Sequence, residues 1–128
     1  MSFSNTICIG VLTILLPLAA MSAPVPALDD PSTVVTVMQF SAKSPAVKPE
    51  LMKRMTAIRD FIRKQPGYVD NVLMENRNPD TQPNFVGVSR WKSIKDWEAL
   101  WTKPELQKLV ASASEVGNIS PGSFAPIK

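Results

Sequence analysis

The chain has 128 residues, enough for one domain and too few for a second once a leader is set aside. Hydrophobic residues make up 45% and charged residues 20%, a globular balance that excludes a disordered or collagen-like chain. The net charge is +3, with Lys and Arg interspersed among Asp and Glu, so the basic stripe that nucleic acid requires is missing.

Asp29 is the first charged side chain, and the residues before it differ sharply in composition from those after it. Residues 7–21 are apolar, shorter than the roughly 20 residues of a bilayer span, and end in small residues with prolines beyond. The expectation is a secretory signal peptide over residues 1–27, cut after Ala20, Ser22 or Ala27. The product is then exported, periplasmic or extracellular, with no stable membrane span. An uncleaved anchor is the alternative, because the terminal amine is the only positive charge ahead of the apolar run. Residues 28–32 read as a linker and residues 33–128 as the domain. Cys8 is the only cysteine and lies inside the leader, which excludes a disulfide framework, a catalytic Cys and a Cys-ligated zinc site. Histidine is absent, removing the commonest general base and metal ligand. There is no Gly-rich phosphate loop either. Few catalytic strategies remain.

Residues 33–41, rich in β-branched side chains, predict a first strand. Residues 42–48 carry a proline and no pattern. Pro49-Glu50 suits a helix first turn, and Leu51, Met55, Ile58 and Ile62 keep helical spacing to about residue 64. Lys53, Arg54, Arg59, Asp60, Arg63 and Lys64 populate the other side. Gln65-Pro66-Gly67 ends the helix. Strands over 68–75 and 85–91 flank a dense cluster of turn formers at 76–84, which makes an antiparallel hairpin with a long loop. Ser93 stands as an N-cap with Asp96 three residues on, before a helix over 94–101. That helix breaks at Thr102-Lys103-Pro104 and restarts over 105–114, with Leu106, Leu109 and Val110 on its apolar side. Pro121 and Pro126 make any last strand an edge or irregular one.

The order is strand, helix, strand, strand, helix, strand: an α+β, ferredoxin-like βαββαβ fold with an antiparallel sheet and helices on one face. The other face is left with apolar side chains facing solvent, and a domain this small cannot leave such a patch bare without consequence. A homodimer pairing the two sheets closes it, as a dimeric α+β barrel with a cavity between sheet and helices.

Three features resemble the antibiotic biosynthesis monooxygenase family. They are Gln65-Pro66-Gly67-Tyr68 entering the second strand, the strand end Arg90-Trp91-Lys92-Ser93, and the continuation from Ile94-Lys95-Asp96-Trp97 to Lys103-Pro104-Glu105-Leu106. The similarity covers the chain from about Thr33 onward. It implies cofactor-independent oxygenation of a small aromatic molecule, a quinol or polycyclic phenol. In that chemistry the substrate supplies the electrons, and the protein supplies orientation and electrostatics. In family monooxygenases an Asn stands four residues before the strand Trp, where this chain has Gly87. The haem-degrading branch uses a histidine ligand, which this chain lacks.

Trp91 best matches a pocket position of the family. It reads either as an aromatic wall whose indole N–H faces substrate, or as a structural Trp closing the hairpin onto the second helical region. Strand alternation puts Phe85, Gly87 and Ser89 on its face. Phe85, Ser89 and Tyr68 are the expected substrate contacts. Gln39 and Asn71 are candidate catalytic partners that hydrogen-bond a substrate oxygen, or else solvent-facing strand residues. Trp97 and Trp101, at i and i+4, read as core or dimer contacts. Arg90 points away from Trp91, and Asp70 and Glu75 fall on different faces, a poor acid/base pair. The competing reading is a non-catalytic dimeric binding or stress-associated protein holding an apolar molecule in the envelope.

Overall fold

The computed structural model describes residues 27–127, so residues 1–26 of the expected leader, with the expected cleavage positions after Ala20 and Ser22, lie outside the described residues. Strand β1 (Val34–Ala42) is followed by a 3₁₀ turn (Pro45–Val47) and helix α1 (Lys48–Ile62). Strands β2 (Tyr68–Glu75) and β3 (Phe85–Trp91) form the hairpin. Helices α2 (Ile94–Leu100) and α3 (Pro104–Ser114) come next, then strand β4 (Gly117–Phe124). The 3₁₀ turn fills part of the segment that shows no pattern in sequence.

The sheet has four strands in the order β2-β3-β1-β4, antiparallel throughout, which is the ferredoxin-like arrangement. Alternation in β1 sends Thr36, Met38, Phe40 and Ala42 under the helices, where all four are buried. Met38, Phe40 and Ala42 pack with Leu51, Met55, Ile58 and Ile62 of α1, with Trp97 and Leu100 of α2, and with Leu106 of α3. The helical spacing read along α1 is thus the spacing of its buried face. The other sheet face carries Val72 and Met74 of β2 and Phe124 of β4, all exposed. β4 pairs only with β1 and so sits at an edge, where Pro121 removes no ladder bond to a further strand.

Local chemistry sets the element ends. Gly67 has φ of 82°, and a Cβ there would fall 2.2 Å from the Asp96 carboxylate, so both conformation and space demand glycine. The Ser93 side chain accepts from the Asp96 backbone N–H (3.2 Å) and its hydroxyl donates to the Asp96 carboxylate (2.8 Å), capping α2. Arg54 departs from its expected solvent role. It donates to Glu50 (2.9 Å), to Glu115 (2.9 Å) and to the Ser112 carbonyl (2.6 Å), tying α1 to the last turn of α3. The guanidinium beside Glu50 holds that carboxyl below its ordinary range. Among the described residues, no helix is long and apolar enough to cross a membrane.

Candidate functional site

A narrow cleft, nearly filled by side chains, lies between the sheet and α1. Its sheet side is built from Met38, Phe40, Asn71, Leu73, Gly87 and Ser89, and its helix side from Met55, Ile58, Arg59 and Ile62. Asn71 and Ser89 are paired across the β2–β3 ladder, so their side chains rise side by side into it. Asn71 Nδ2 donates to Ser89 Oγ at 3.0 Å. Asn71 Oδ1 is buried and accepts from nothing among the described residues. A buried acceptor without a donor costs about 1–3 kcal/mol, so this atom calls for a donor beyond the described residues. The free volume is small, about 10 Å³, because Met38, Met55 and Leu73 fill the space.

Both Asn71 and Tyr68 reach the helix side of the sheet because β2 shifts register between Tyr68 and Asp70. Simple alternation would have put them on opposite faces. Gly87 pairs with Leu73, whose Cδ2 lies 3.1 Å from where a Cβ at position 87 would be. Leu73 therefore occupies the room of a larger residue there, and Asn71 lies two rungs away on the same face of β2.

The other sequence candidates are dispersed. Trp91 is 2% exposed, and its indole N–H donates to Thr36 Oγ1 at 3.1 Å, so the expected donation to substrate is already spent inside the core. Its ring stacks edge-on against Tyr68 with centroids 5.9 Å apart and lies tilted at 5.9 Å from Trp97, which in turn meets Trp101 at 5.2 Å. These four rings form a continuous aromatic cluster next to the cleft rather than its wall. Phe85 is buried at the far end of β3, with Lys48 Nζ 5.6 Å from its ring centroid. Gln39 is exposed and alternates with buried Met38 and Phe40, which places it on the bare face, away from Asn71 and Ser89. The structure thus brings Asn71 and Ser89 together, sets Trp91 and Tyr68 behind them, and separates Gln39 and Phe85.

Arg59 is the residue that sequence reading missed. Its place among the charged residues of α1 suggests the solvent side of the helix, yet it lines the cleft and is the sole cation among its lining residues. The signal was its spacing, four residues after Met55 and three before Ile62. On the bare face, Arg90 Nε donates to Asp70 Oδ1 at 2.7 Å and a second guanidinium nitrogen reaches Oδ2, a bidentate pair. Hydrogen bonding from Arg90, with its charge, holds the Asp70 carboxyl below the usual range. Glu75 instead meets Lys48 at 2.9 Å, so the two carboxylates do lie apart.

The split-βαβ sheet, one face under helices and one bare, with a cleft beneath α1, defines a ferredoxin-like α+β protein. The resemblance read from the strand ends holds at the level of fold. SnoaB, a cofactor-independent oxygenase from Streptomyces nogalater, is similar at 19% identity and a TM-score of 0.63, over 76% of this chain and 95% of that one. A protein of Nitrosomonas europaea, provisionally assigned as an antibiotic biosynthesis monooxygenase, is similar at 11% identity and a TM-score of 0.62, over 75% and 91%. A dimeric ferredoxin-like protein of unknown function from Jannaschia sp. is similar at 10% identity and a TM-score of 0.59, over 72% and 97%. No family model matches the chain, and no curated protein matches it.

Proposed function

We propose that the protein binds a small hydroxylated aromatic in the cleft under α1 and oxygenates it without a cofactor, in the manner of the antibiotic biosynthesis monooxygenases it resembles. The observation that carries this reading is the buried Oδ1 of Asn71 beside Ser89, which has no donor among the described residues. A substrate hydroxyl would donate to that oxygen, and Arg59 at the cleft would favour the phenolate form. The phenolate then supplies the electrons. One oxygen atom of O₂ enters the ring and the other leaves as water, taking a phenol to a quinone with no external reductant. Met38 and Met55 have several rotatable bonds each, and their movement is what would open about 10 Å³ to a ring.

A bare apolar sheet face and the dimeric description of one similar structure support a homodimer pairing the sheets. Export, with residues 1–27 removed as a leader, is also proposed, from the apolar run ahead of Asp29; the intact mass of the protein checks it.

Oxygen uptake by the purified protein with a panel of hydroquinones and naphthols tests the enzymatic reading. Uptake above the uncatalysed rate, lost when Asn71 is replaced by Leu, is expected. A second reading, a non-catalytic dimer holding an apolar molecule, draws on the closed cleft and on Leu73 filling the space over Gly87. Ligand-dependent melting with no uptake anywhere in the panel would favour it and end the first.

A further inference from the structure

A larger cavity lies at the other end of the sheet, outside the cleft under α1. It encloses about 320 Å³ between the end of β1 with the 3₁₀ turn and the β2–β3 loop, and its walls include Ala42, Lys43, Lys48, Asp80, Gln82 and Asn84. That volume is at the lower bound of small-molecule sites, roughly 300 Å³.

The loop is braced by its own side chains. Asn76 Nδ2 donates to the carbonyls of Thr81 (3.2 Å) and Pro83 (3.0 Å), and the Asn76 and Asn78 side chains accept from backbone N–H groups two residues on. At its base, Asn84 is 7% exposed and its Oδ1 accepts from the Ala42 backbone N–H at 2.7 Å. That bond fixes which way the amide faces. Asn84 Nδ2 is then a donor with no acceptor among the described residues, on a side chain that lines the cavity. Ser44, also in the wall, makes no capping bond with its hydroxyl. Lys48 is held by Glu75 at 2.9 Å, while Lys43 is exposed and carries no ion pair among the described residues. The wall therefore offers an amide donor at its floor, ammonium groups beside it, and the Asp80 carboxylate as acceptor.

We propose that this cavity is a second small-molecule site, and that its ligand is a small organic acid that also carries a hydrogen-bond donor, the class of hydroxy and amino acids. The ligand carboxylate takes the Asn84 Nδ2 donor and the Lys43 charge, and its second group donates to Asp80. Nothing in this assignment depends on oxygenation in the other cleft.

Titration of the ¹⁵N-labelled protein with L-malate and with L-serine, against sodium chloride at matched ionic strength, tests it. One of the two acids should give saturable shifts at the Asn84 side-chain amide and at the Ala42 and Ser44 backbone amides, with the Asn71 side-chain amide unmoved. Lys43→Ala should weaken that binding by about fivefold, the upper end for an exposed charge pair. Asn84→Asp keeps an oxygen for the Ala42 N–H and places a negative charge on the floor, and it should abolish the shifts. Lys43 is exposed, so its variant reports even if the Asn84 variant does not fold. No saturation with either acid, equal shifts with chloride, or an unchanged affinity in Lys43→Ala would overturn the proposal.

Discussion

Asn71 and Ser89 face each other across one rung of the β2–β3 ladder, and the amide uses only its nitrogen there. Leaving Oδ1 buried and bare lowers stability, a cost that a folding requirement alone would not retain. Replacing both partners by apolar groups of similar shape, Asn71→Leu with Ser89→Ala, removes the orphan acceptor together with the hydroxyl to which the Asn71 amide nitrogen donates. The double variant is expected to unfold at higher urea, by about 1 kcal/mol, while losing oxygen uptake and ligand-dependent melting. Reduced stability with unchanged uptake would show that the pair is part of the scaffold. Trp91 illustrates the opposite case at the same scale. Its aromatic character and its face were legible from strand parity, but the use of its N–H depended on Thr36 lying opposite Ser89 on β1, a register that residue types do not encode.

Elements were legible wherever a local signal fixed them. The apolar spacing of α1, the Ser93–Asp96 cap and the Gln65-Pro66-Gly67 stop each act within one or two turns, and each is found in place. The face assignment of Gln39 was not legible, because Val34, Val35, Val37 and Met38 make β1 apolar on both sides and hide the alternation. The β2 bulge was hidden for a different reason: its extra residue is defined only by pairing with Arg90 and Trp91 of the partner strand. Gly67 is the point where the α1–β2 connection is most constrained. A Cβ there meets the Asp96 side chain, the same carboxylate that receives the Ser93 hydroxyl, and φ is positive as well. Gly67→Ala is therefore expected to cost about 1–3 kcal/mol by chemical denaturation. The damage should extend to the α2 cap, read as a loss of Asp96 amide protection in hydrogen exchange. A variant as stable as the parent would mean that Asp96 swings away freely and that the cap matters little.

At the scale of the molecule, one apolar surface has no covering among the described residues. Val72 is 50% exposed and Met74 46%, next to the Asp70–Arg90 pair on the same face of β2 and β3. Charged residues on such a face blunt edge-to-edge pairing but do not hide the apolar side chains between them. Two copies stacked sheet to sheet would remove those side chains from water. Burial in the dimer would also desolvate a pair whose two opposite charges already satisfy each other. Because Val72 and Met74 are half exposed in the single chain, replacing both by Asp should cost the subunit little and the association a great deal. Sedimentation is expected to show the parent protein as a dimer at micromolar concentration and the Val72→Asp, Met74→Asp variant as a monomer with an unchanged circular dichroism spectrum. A parent protein that sediments as a folded monomer would leave the sheet face without its partner. The cleft under α1 would then have to open and bind within a single subunit, so oxygen uptake measured on that monomer would decide whether the chemistry survives the loss of the barrel.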